Sequence, residues 1–344
     1  MPKRNIIVLF LVVFTVLLSS FSFYTYQIIY TPNILVEAEE HYITIPHGGT
    51  FQELQQLLGE EYIATDLVSF SFLAKLKDLD TQLKPGRYLL TPDMTNMELI
   101  NLLRSGRQTP VNLTFSNARL LSQVPKKLVQ NLEIDSAQMA TLMLSDTTPG
   151  HFGFEPHTFI SMFIPNTYQV YWTATPKEIL DRLKREYDNF WTEERLQKAK
   201  NLGMTKEEVS TLASIVQSET NDMAEAPKVA GLYINRLQRG YKLQADPTLK
   251  FALGDFSIRR VLNRHKEIES PYNTYKYYGL PPGPICMPSI AAVESVLNYE
   301  EHNYLYMCAS ADFSGKHIFA KSLREHNINA AKLHRALNKR KIYR

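Results

Sequence analysis

Glu219 is the residue of this chain whose placement speaks most directly of chemistry. Thr205-Lys206-Glu207-Glu208 reads as the start of a helix, with Thr205 as N-cap and Glu208 three residues on as its capping-box partner. Val209, Leu212 and Val216 then recur at spacings of three and four, and Glu219 is the next member of that stripe. At about 100° per residue all four fall within less than a quarter turn. A carboxylate aligned with a core face is costly unless it is paired, protonated or lining a cleft. It also falls near the expected end of the helix, where the dipole disfavours negative charge. Both effects raise a carboxyl pKa, which suits a general acid working near neutrality. The structural alternative is a Glu219 that closes the last turn or pairs with Lys228 or Arg236.

Around this helix the chain must supply a scaffold, and its 344 residues are enough for two or more cores. A net charge of +3 is near neutral for this length, so nothing points to nucleic-acid binding. The basic end (Lys332, Arg335, Lys339, Arg340, Lys341, Arg344) reads as a solvated helix face and tail. Two cysteines, Cys286 and Cys308, cannot make a disulfide framework, and their separation in sequence leaves their pairing open. His302, His317 and His326 show no metal-ligand spacing such as H-E-x-x-H; His317 and His326 read as residues that hold loops or line a cleft. Neither a metal nor a cofactor is expected.

The N-terminus carries a different signal. From Ile6 to Tyr24 no residue is charged, about the length a helix needs to cross a bilayer, and Lys3 and Arg4 precede the run. That order predicts that residues 1–24 hold a short cytoplasmic N-terminus and a single membrane span, with an exported remainder. Tyr24, Tyr26 and Tyr30 follow where an interfacial aromatic belt would lie. The competing reading is a cleaved signal peptide with Ser20 and Ser22 near the cut, although that stretch is bulky and aromatic.

Residues 25–40 read as a polar linker. A small αβ domain is expected over 41–107: a strand at Tyr42-Ile43-Thr44-Ile45, a helix from Phe51 capped by Thr50 and Glu53, and a helix from about Thr65 to Leu76. A strand after Lys84-Pro85-Gly86 and a helix ending near Ser105-Gly106 complete it. This order resembles a LysM-like glycan-binding module. A larger α+β domain follows over 109–344, with helices expected at Leu120–Leu132, Ser136–Leu144, Pro176–Glu186 and Thr192–Leu202. The stretch from Tyr241 to Pro288, dense in Pro, Gly, Asn and Tyr, reads as ordered irregular loops, where sites are often built.

Leu212-Ala213-Ser214-Ile215-Val216-Gln217-Ser218-Glu219-Thr220 resembles the catalytic motif of the MltG/YceG-like endolytic murein transglycosylases. Further blocks match in order: Val229 to Leu237, which contains Asn235 and Arg236; Leu243-Gln244-Ala245-Asp246-Pro247-Thr248; and Tyr272-Asn273-Thr274-Tyr275. Gly279 to Ile285, Tyr304-Leu305-Tyr306, His317-Ile318-Phe319 and His326-Asn327 complete the series. The anchor and the small module are also the family's layout. Two departures stand out. Gln217 occupies a place where members often carry a second Glu, and Met162-Phe163-Ile164-Pro165-Asn166-Thr167-Tyr168 lacks the acids of the corresponding family loop.

The resemblance implies a membrane-anchored lytic transglycosylase acting on peptidoglycan glycan strands from the extracytoplasmic side of the plasma (inner) membrane, near the penicillin-binding proteins. Glu219 would act as acid and then base, and cleavage within nascent strands would leave 1,6-anhydro-N-acetylmuramic acid ends and limit strand length. Gln244, Asn273 and Tyr275 suit sugar recognition, since amides and a phenol match hydroxyls; Asp246, Thr248, Asn235 and Arg236 join them as substrate-binding candidates. Asp246 also suits a loop-orienting turn bond. A muramidase-type hydrolase would instead need a second carboxylate, for which Asp222, Glu225 and Asp246 are candidates. A wall-binding scaffold without catalysis is the alternative of a different class.

Overall fold

The computed structural model describes residues 3–36, 40–258 and 260–339. It is a mixed helix-and-strand protein with an apolar N-terminal helix, and it divides into two compact units. Arg340, Lys341 and Arg344 of the basic tail lie outside the described residues; Lys332, Arg335 and Lys339 lie on a C-terminal helix with no buried residue.

The first unit comprises Met1–Leu113 with Asn131–Ile134 and Gln169–Thr175. Helix α1 runs over Lys3–Tyr30 and is long and apolar enough to cross a membrane. Strand β1 (His41–Ile45) pairs antiparallel with β2 (Gly86–Leu90), placing Ile43 opposite Tyr88. Helices α2 (Phe51–Glu60), α3 (Leu67–Leu76), the short α4 (Leu79–Gln82) and α5 (Asn96–Ser105) complete this unit. The Thr50–Glu53 capping box is present, and α5 closes on Gly106 at φ 70°, a left-handed position that glycine adopts without steric cost. Leu54, Leu58, Phe70, Leu73, Tyr88, Leu99 and Leu103 fill the core.

Of residues 25–40, expected to be a linker, the stretch 25–36 contributes to that core. The helix continues to Tyr30, and Ile28, Ile34 and Val36 are buried. Residues 33–35 also pair with the chain on either side: the Leu35 amide donates to the Ile63 carbonyl, and the Asn33 side chain links the Asp66 carbonyl to Asn96 Oδ1 (2.7 Å). Satisfied backbone groups and buried apolar side chains fix this segment, so its polar composition does not make it slack.

The second unit comprises Thr114–Gln130, Asp135–Tyr168 and Pro176–Arg344. Strands β3 (Val111–Phe115), of which Thr114 and Phe115 belong to this unit, and β4 (Asn166–Val170), of which Asn166 to Tyr168 do, form a two-stranded sheet. Between them lie α6 (Val124–Leu128), α7 (Ser136–Met143) and α8 (Thr148–His151). The helix expected over Leu120–Leu132 is instead a 3-10 turn followed by the short α6. Pro125 stands in its first turn, where it lacks a backbone donor, and the chain turns out again at Asn131 with φ 63°. Helix α9 (Pro176–Phe190) extends a turn beyond the expected Glu186, and α10 covers Glu193–Asn201.

Helix α11 (Lys206–Glu219) is the centre of this unit, packed against α10, α12 (Ala226–Gln238), α13 (Asp246–Leu253) and α14 (Ile290–Leu297). The capping box is as read: the Thr205 hydroxyl accepts from the Glu208 amide, and the Glu208 carboxylate accepts from the Thr205 amide (2.8 Å). Burial, however, is not confined to one stripe, because every residue from Val209 to Val216 is buried. The hydroxyls of Ser210, Thr211 and Ser214 donate to carbonyls of their own helix, so the polar side chains are satisfied inside the core. The expected loop from Tyr241 to Pro288 contains α13, started by Asp246-Pro247 and ended by Gly254 at φ 67°. Strands β5 (Tyr306–Ala309) and β6 (His317–Ala320) form an antiparallel hairpin, and α15 covers Leu323–Lys339.

Candidate functional site

A cavity of about 410 Å³ in the second unit is lined by Glu219, Tyr233, Arg236, Gln244, Asp246 and Tyr275, together with Tyr306, Cys308, His317 and His326. Glu219 enters from the last turn of α11. The chain leaves the helix at Thr220, which is extended (φ −130°, ψ 140°), so the carboxylate stands where the helix stops. Tyr233, on the facing side of α12, donates its hydroxyl to Glu219 Oε1 at 2.6 Å.

Burial pushes the Glu219 carboxyl up to about 7. The Tyr233 hydrogen bond acts in the opposite direction, since it favours the charged form, and the nearby Asp246 charge adds to the rise. Asp246 is itself held: Tyr275 donates its phenol to Asp246 Oδ1 at 2.5 Å. The tyrosines bear the reciprocal cost, with the phenol pKa values of Tyr233 and Tyr275 raised by burial and by their carboxylate partners. The arrangement therefore holds two carboxylates in one cavity, each with its own tyrosine donor, and keeps one of them at the edge of protonation at neutral pH.

Arg236 is buried, at 6% exposure, and its guanidinium serves the walls. It donates to the carbonyls of Leu305 (2.6 Å), Leu243 (2.7 Å) and Lys242 (3.1 Å), tying the start of β5 to the chain ahead of α13. Gln244 sits in the left-handed region at φ 52°, a conformation that costs a non-glycine residue of order 1 kcal/mol. Its amide donates to the Thr274 carbonyl, and its side-chain Oε1 accepts from Arg236 at 3.4 Å.

Three expected ligand residues are placed elsewhere. Asn273 is fully buried: its side-chain NH₂ donates to the carbonyls of Lys266 (2.9 Å) and Ile268 (2.8 Å), and its Oδ1 accepts from the Tyr275 amide. Thr248, also fully buried, bonds to the Ala245 carbonyl and the Thr274 hydroxyl. Asn235 donates to the carbonyls of His302 and Tyr304. Asp246, expected as a possible turn former, opens α13 and faces the cavity. The structure thus brings Glu219, Arg236, Gln244, Asp246 and Tyr275 together and spends Asn273, Thr248 and Asn235 on the backbone.

Tyr233 was not singled out in the sequence, whereas His317 and His326 line the cavity as expected. Tyr233 lies fourteen positions from Glu219 on a separate helix. His317 has both its backbone amide (2.8 Å) and its ring Nδ1 (2.7 Å) on the Glu225 carboxylate, a pair 92 positions apart. His326 stacks on Tyr306, its Nδ1 buried without a partner, and burial holds its pKa down. Asp222 does not line the cavity; its carboxylate accepts from the Ala224 amide. Gln217 secures the segment below α11, accepting from the Ser289 amide (2.7 Å) and donating to the Met287 carbonyl. Cys286 and Cys308 are both free thiols. Among the described residues no three His, Cys, Asp or Glu side chains converge as metal ligands would.

Known proteins are similar to this chain in sequence and in fold. The chain is 28% identical over 353 aligned residues to an endolytic murein transglycosylase of Streptococcus pneumoniae (serotype 2, strain D39), covering 93% of this chain and 63% of that protein, so it spans less than two thirds of that relative's length. It is 26% identical over 300 residues to an endolytic murein transglycosylase of Bacillus subtilis (strain 168), covering 83% of this chain and 82% of the relative. The crystal structure of a yceG-like protein from Listeria monocytogenes aligns with a TM-score of 0.52 and 25% identity over 84% of this chain and 99% of that one. The model of the YceG-like family matches residues 43–332, and the chain belongs to that family.

Proposed function

We propose that the chain is an endolytic murein transglycosylase with Glu219 as its acid and base. The observation that carries this reading is the Glu219 carboxyl, raised to about 7 in a cavity wall and held by Tyr233 at 2.6 Å. Protonated, it donates to the glycosidic oxygen leaving the anomeric carbon of N-acetylmuramic acid. As carboxylate it then takes the proton of the same sugar's 6-hydroxyl, whose oxygen attacks that carbon. One C–O bond breaks, one forms, the proton returns to Glu219, and no water is consumed. The product ends in 1,6-anhydro-N-acetylmuramic acid, and cleavage inside nascent strands limits their length. Gln244, Asp246, Arg236 and Tyr275 offer the polar contacts for the sugar, and Asn235, Thr248 and Asn273 shape the walls that present them.

On this reading α1 is a single-pass anchor, with residues ahead of Ile6 cytoplasmic and both units on the extracytoplasmic face. The first unit acts as a LysM-like module that positions glycan beside the penicillin-binding proteins. A second mechanism has an observation of its own: Asp246 shares the cavity with Glu219, and two carboxylates flanking a glycosidic bond are what hydrolysis requires. Mass spectrometry of muropeptides released by the purified chain separates the two. Anhydro-muramic ends, lighter by one water, are expected; reducing-end muramic acid as the main product would replace transglycosylation by hydrolysis, and no cleavage at all would leave a wall-binding scaffold.

A further inference from the structure

Helix α3 has two faces, and both are apolar. Ser69, Phe70, Leu73 and Ala74 turn into the core of the first unit. Val68, Phe72 and Leu76, four residues apart, lie within about a quarter turn of one another on the opposite side. They are 76%, 62% and 66% exposed. Lys75 falls about 20° beyond Val68, beside that arc, and is exposed. A solvent-facing helix surface is ordinarily polar, and a contiguous apolar stripe marks a contact surface.

The same unit indicates what that contact is. Helix α1 has 28 residues, about 42 Å of helix against about 30 Å of hydrocarbon. Its last two turns carry Tyr24, Tyr26 and Tyr30, all exposed, while Ile28 between them is buried in the unit's core. No slack chain therefore separates the end of a span from the folded unit. The Asn96 side chain donates both to the Ile28 carbonyl (3.1 Å) and to the Ser69 hydroxyl (3.2 Å), so the first turn of α3 is one side chain away from the last turn of α1. On the α3 wheel Ser69 is the buried residue nearest to Leu76, about 20° away, so the exposed stripe borders the side from which α1 departs.

We propose that α3 lies on the lipid surface, with Val68, Phe72 and Leu76 in the headgroup–acyl boundary and Lys75 reaching anionic phosphates. An apolar face with a lysine able to extend its ammonium to the headgroups is the composition of an interfacial helix. The inference rests on reading α1 as a membrane span, and the two fail separately.

The full chain is reconstituted in vesicles of phosphatidylglycerol and phosphatidylethanolamine with a tryptophan added at one position, Phe14→Trp in α1 or Phe72→Trp in α3. Quenching by lipids brominated along the acyl chain is read over the parent chain, whose Trp172 and Trp191 set the baseline. The expected result is loss of the added emission at both positions, at position 14 with bromines deep in the chain and at position 72 with bromines near the headgroup. Quenching at 14 without quenching at 72 keeps the span and overturns the surface contact, leaving α3 to a protein partner. No quenching at either position removes the span and the inference with it. In the Phe72→Trp chain, Lys75→Glu should lower quenching in phosphatidylglycerol vesicles and leave it unchanged in phosphatidylcholine; equal quenching in both would remove the lysine from the contact.

Discussion

Two sets of polar residues in the second unit come from the same series of sequence blocks and do opposite things. Glu219, Asp246 and Tyr275 face the cavity, and their hydrogen bonds run to one another or to Tyr233. Asn273 and Thr248 lie two positions from Tyr275 and Asp246, Asn235 two from Tyr233, and each donates to backbone carbonyls. The first set is held in place yet open to a ligand; the second is consumed in holding. An amide or hydroxyl of sugar-binding type is therefore informative only once its partners are counted, because a buried side chain with every group satisfied has nothing left to offer a substrate.

The largest effect should come from breaking the first set. Glu219→Gln keeps shape and can still accept from Tyr233, but it removes the titrating proton. Glycan cleavage should fall roughly a hundred- to ten-thousand-fold, with thermal unfolding no earlier than in the parent. Wild-type rates in this variant would remove Glu219 from the chemistry. The second set should give the mirror image. Asn273→Ala leaves two carbonyls and the Tyr275 amide without their partner, a loss of about 2–4 kcal/mol of stability. Well below its melting point this variant should still cleave, and an Asn273→Ala chain of full stability but no activity would make Asn273 a ligand after all.

Titration sharpens the contrast. The folded-state pKa of Glu219 is raised from 4.5 to about 7, so the folded chain holds this proton more tightly than the unfolded one. Its contribution is fully present below about 4.5 and is lost as pH rises through about 7, up to about 3 kcal/mol in all. Denaturant unfolding of wild type and Glu219→Gln at pH 5 and pH 8 should show this loss in wild type alone; parallel curves would mean that the carboxyl is not raised. The smallest effect belongs to Tyr233→Phe. It removes the donor that favours the charged form, so the alkaline limb of the activity profile should move to higher pH with the rate at its optimum little changed. A shift to lower pH would show that Tyr233 does not stabilise the carboxylate.

Local signals carried much of this. The Thr205–Glu208 capping box and the period that ends on Glu219 set the position of α11, and the alternating and capped segments from Tyr42 to Gly106 gave the order of the first unit's elements. What remained hidden depends on distant neighbours. The pairs Tyr233–Glu219 and His317–Glu225 join separate elements and leave no mark in either segment. The commitment of Asn273 to Lys266 and Ile268 is more local, but it is set by loop geometry rather than by any periodicity. The helix α13 had its start in Asp246-Pro247 and its stop in Gly254, but the surrounding Pro, Gly and Asn content outweighed those two signals. Ile34 and Val36 lie in too short a run for any periodicity to show that they are core.

One close approach limits how this chain can change over generations. A Cβ built on Gly231 in α12 would lie 2.3 Å from the Glu300 carbonyl oxygen and 2.9 Å from His302 Nε2, and the first of these is backbone. Neighbouring core positions can trade volume with one another, since a smaller side chain here admits a larger one there. Position 231 has no such partner, because alanine is already too large and the obstacle is not a side chain that could shrink. Drift can therefore reshape the apolar core around α12 while this helix and the chain leading into β5 stay at one separation, and with them the two walls that carry Tyr233 and Tyr306.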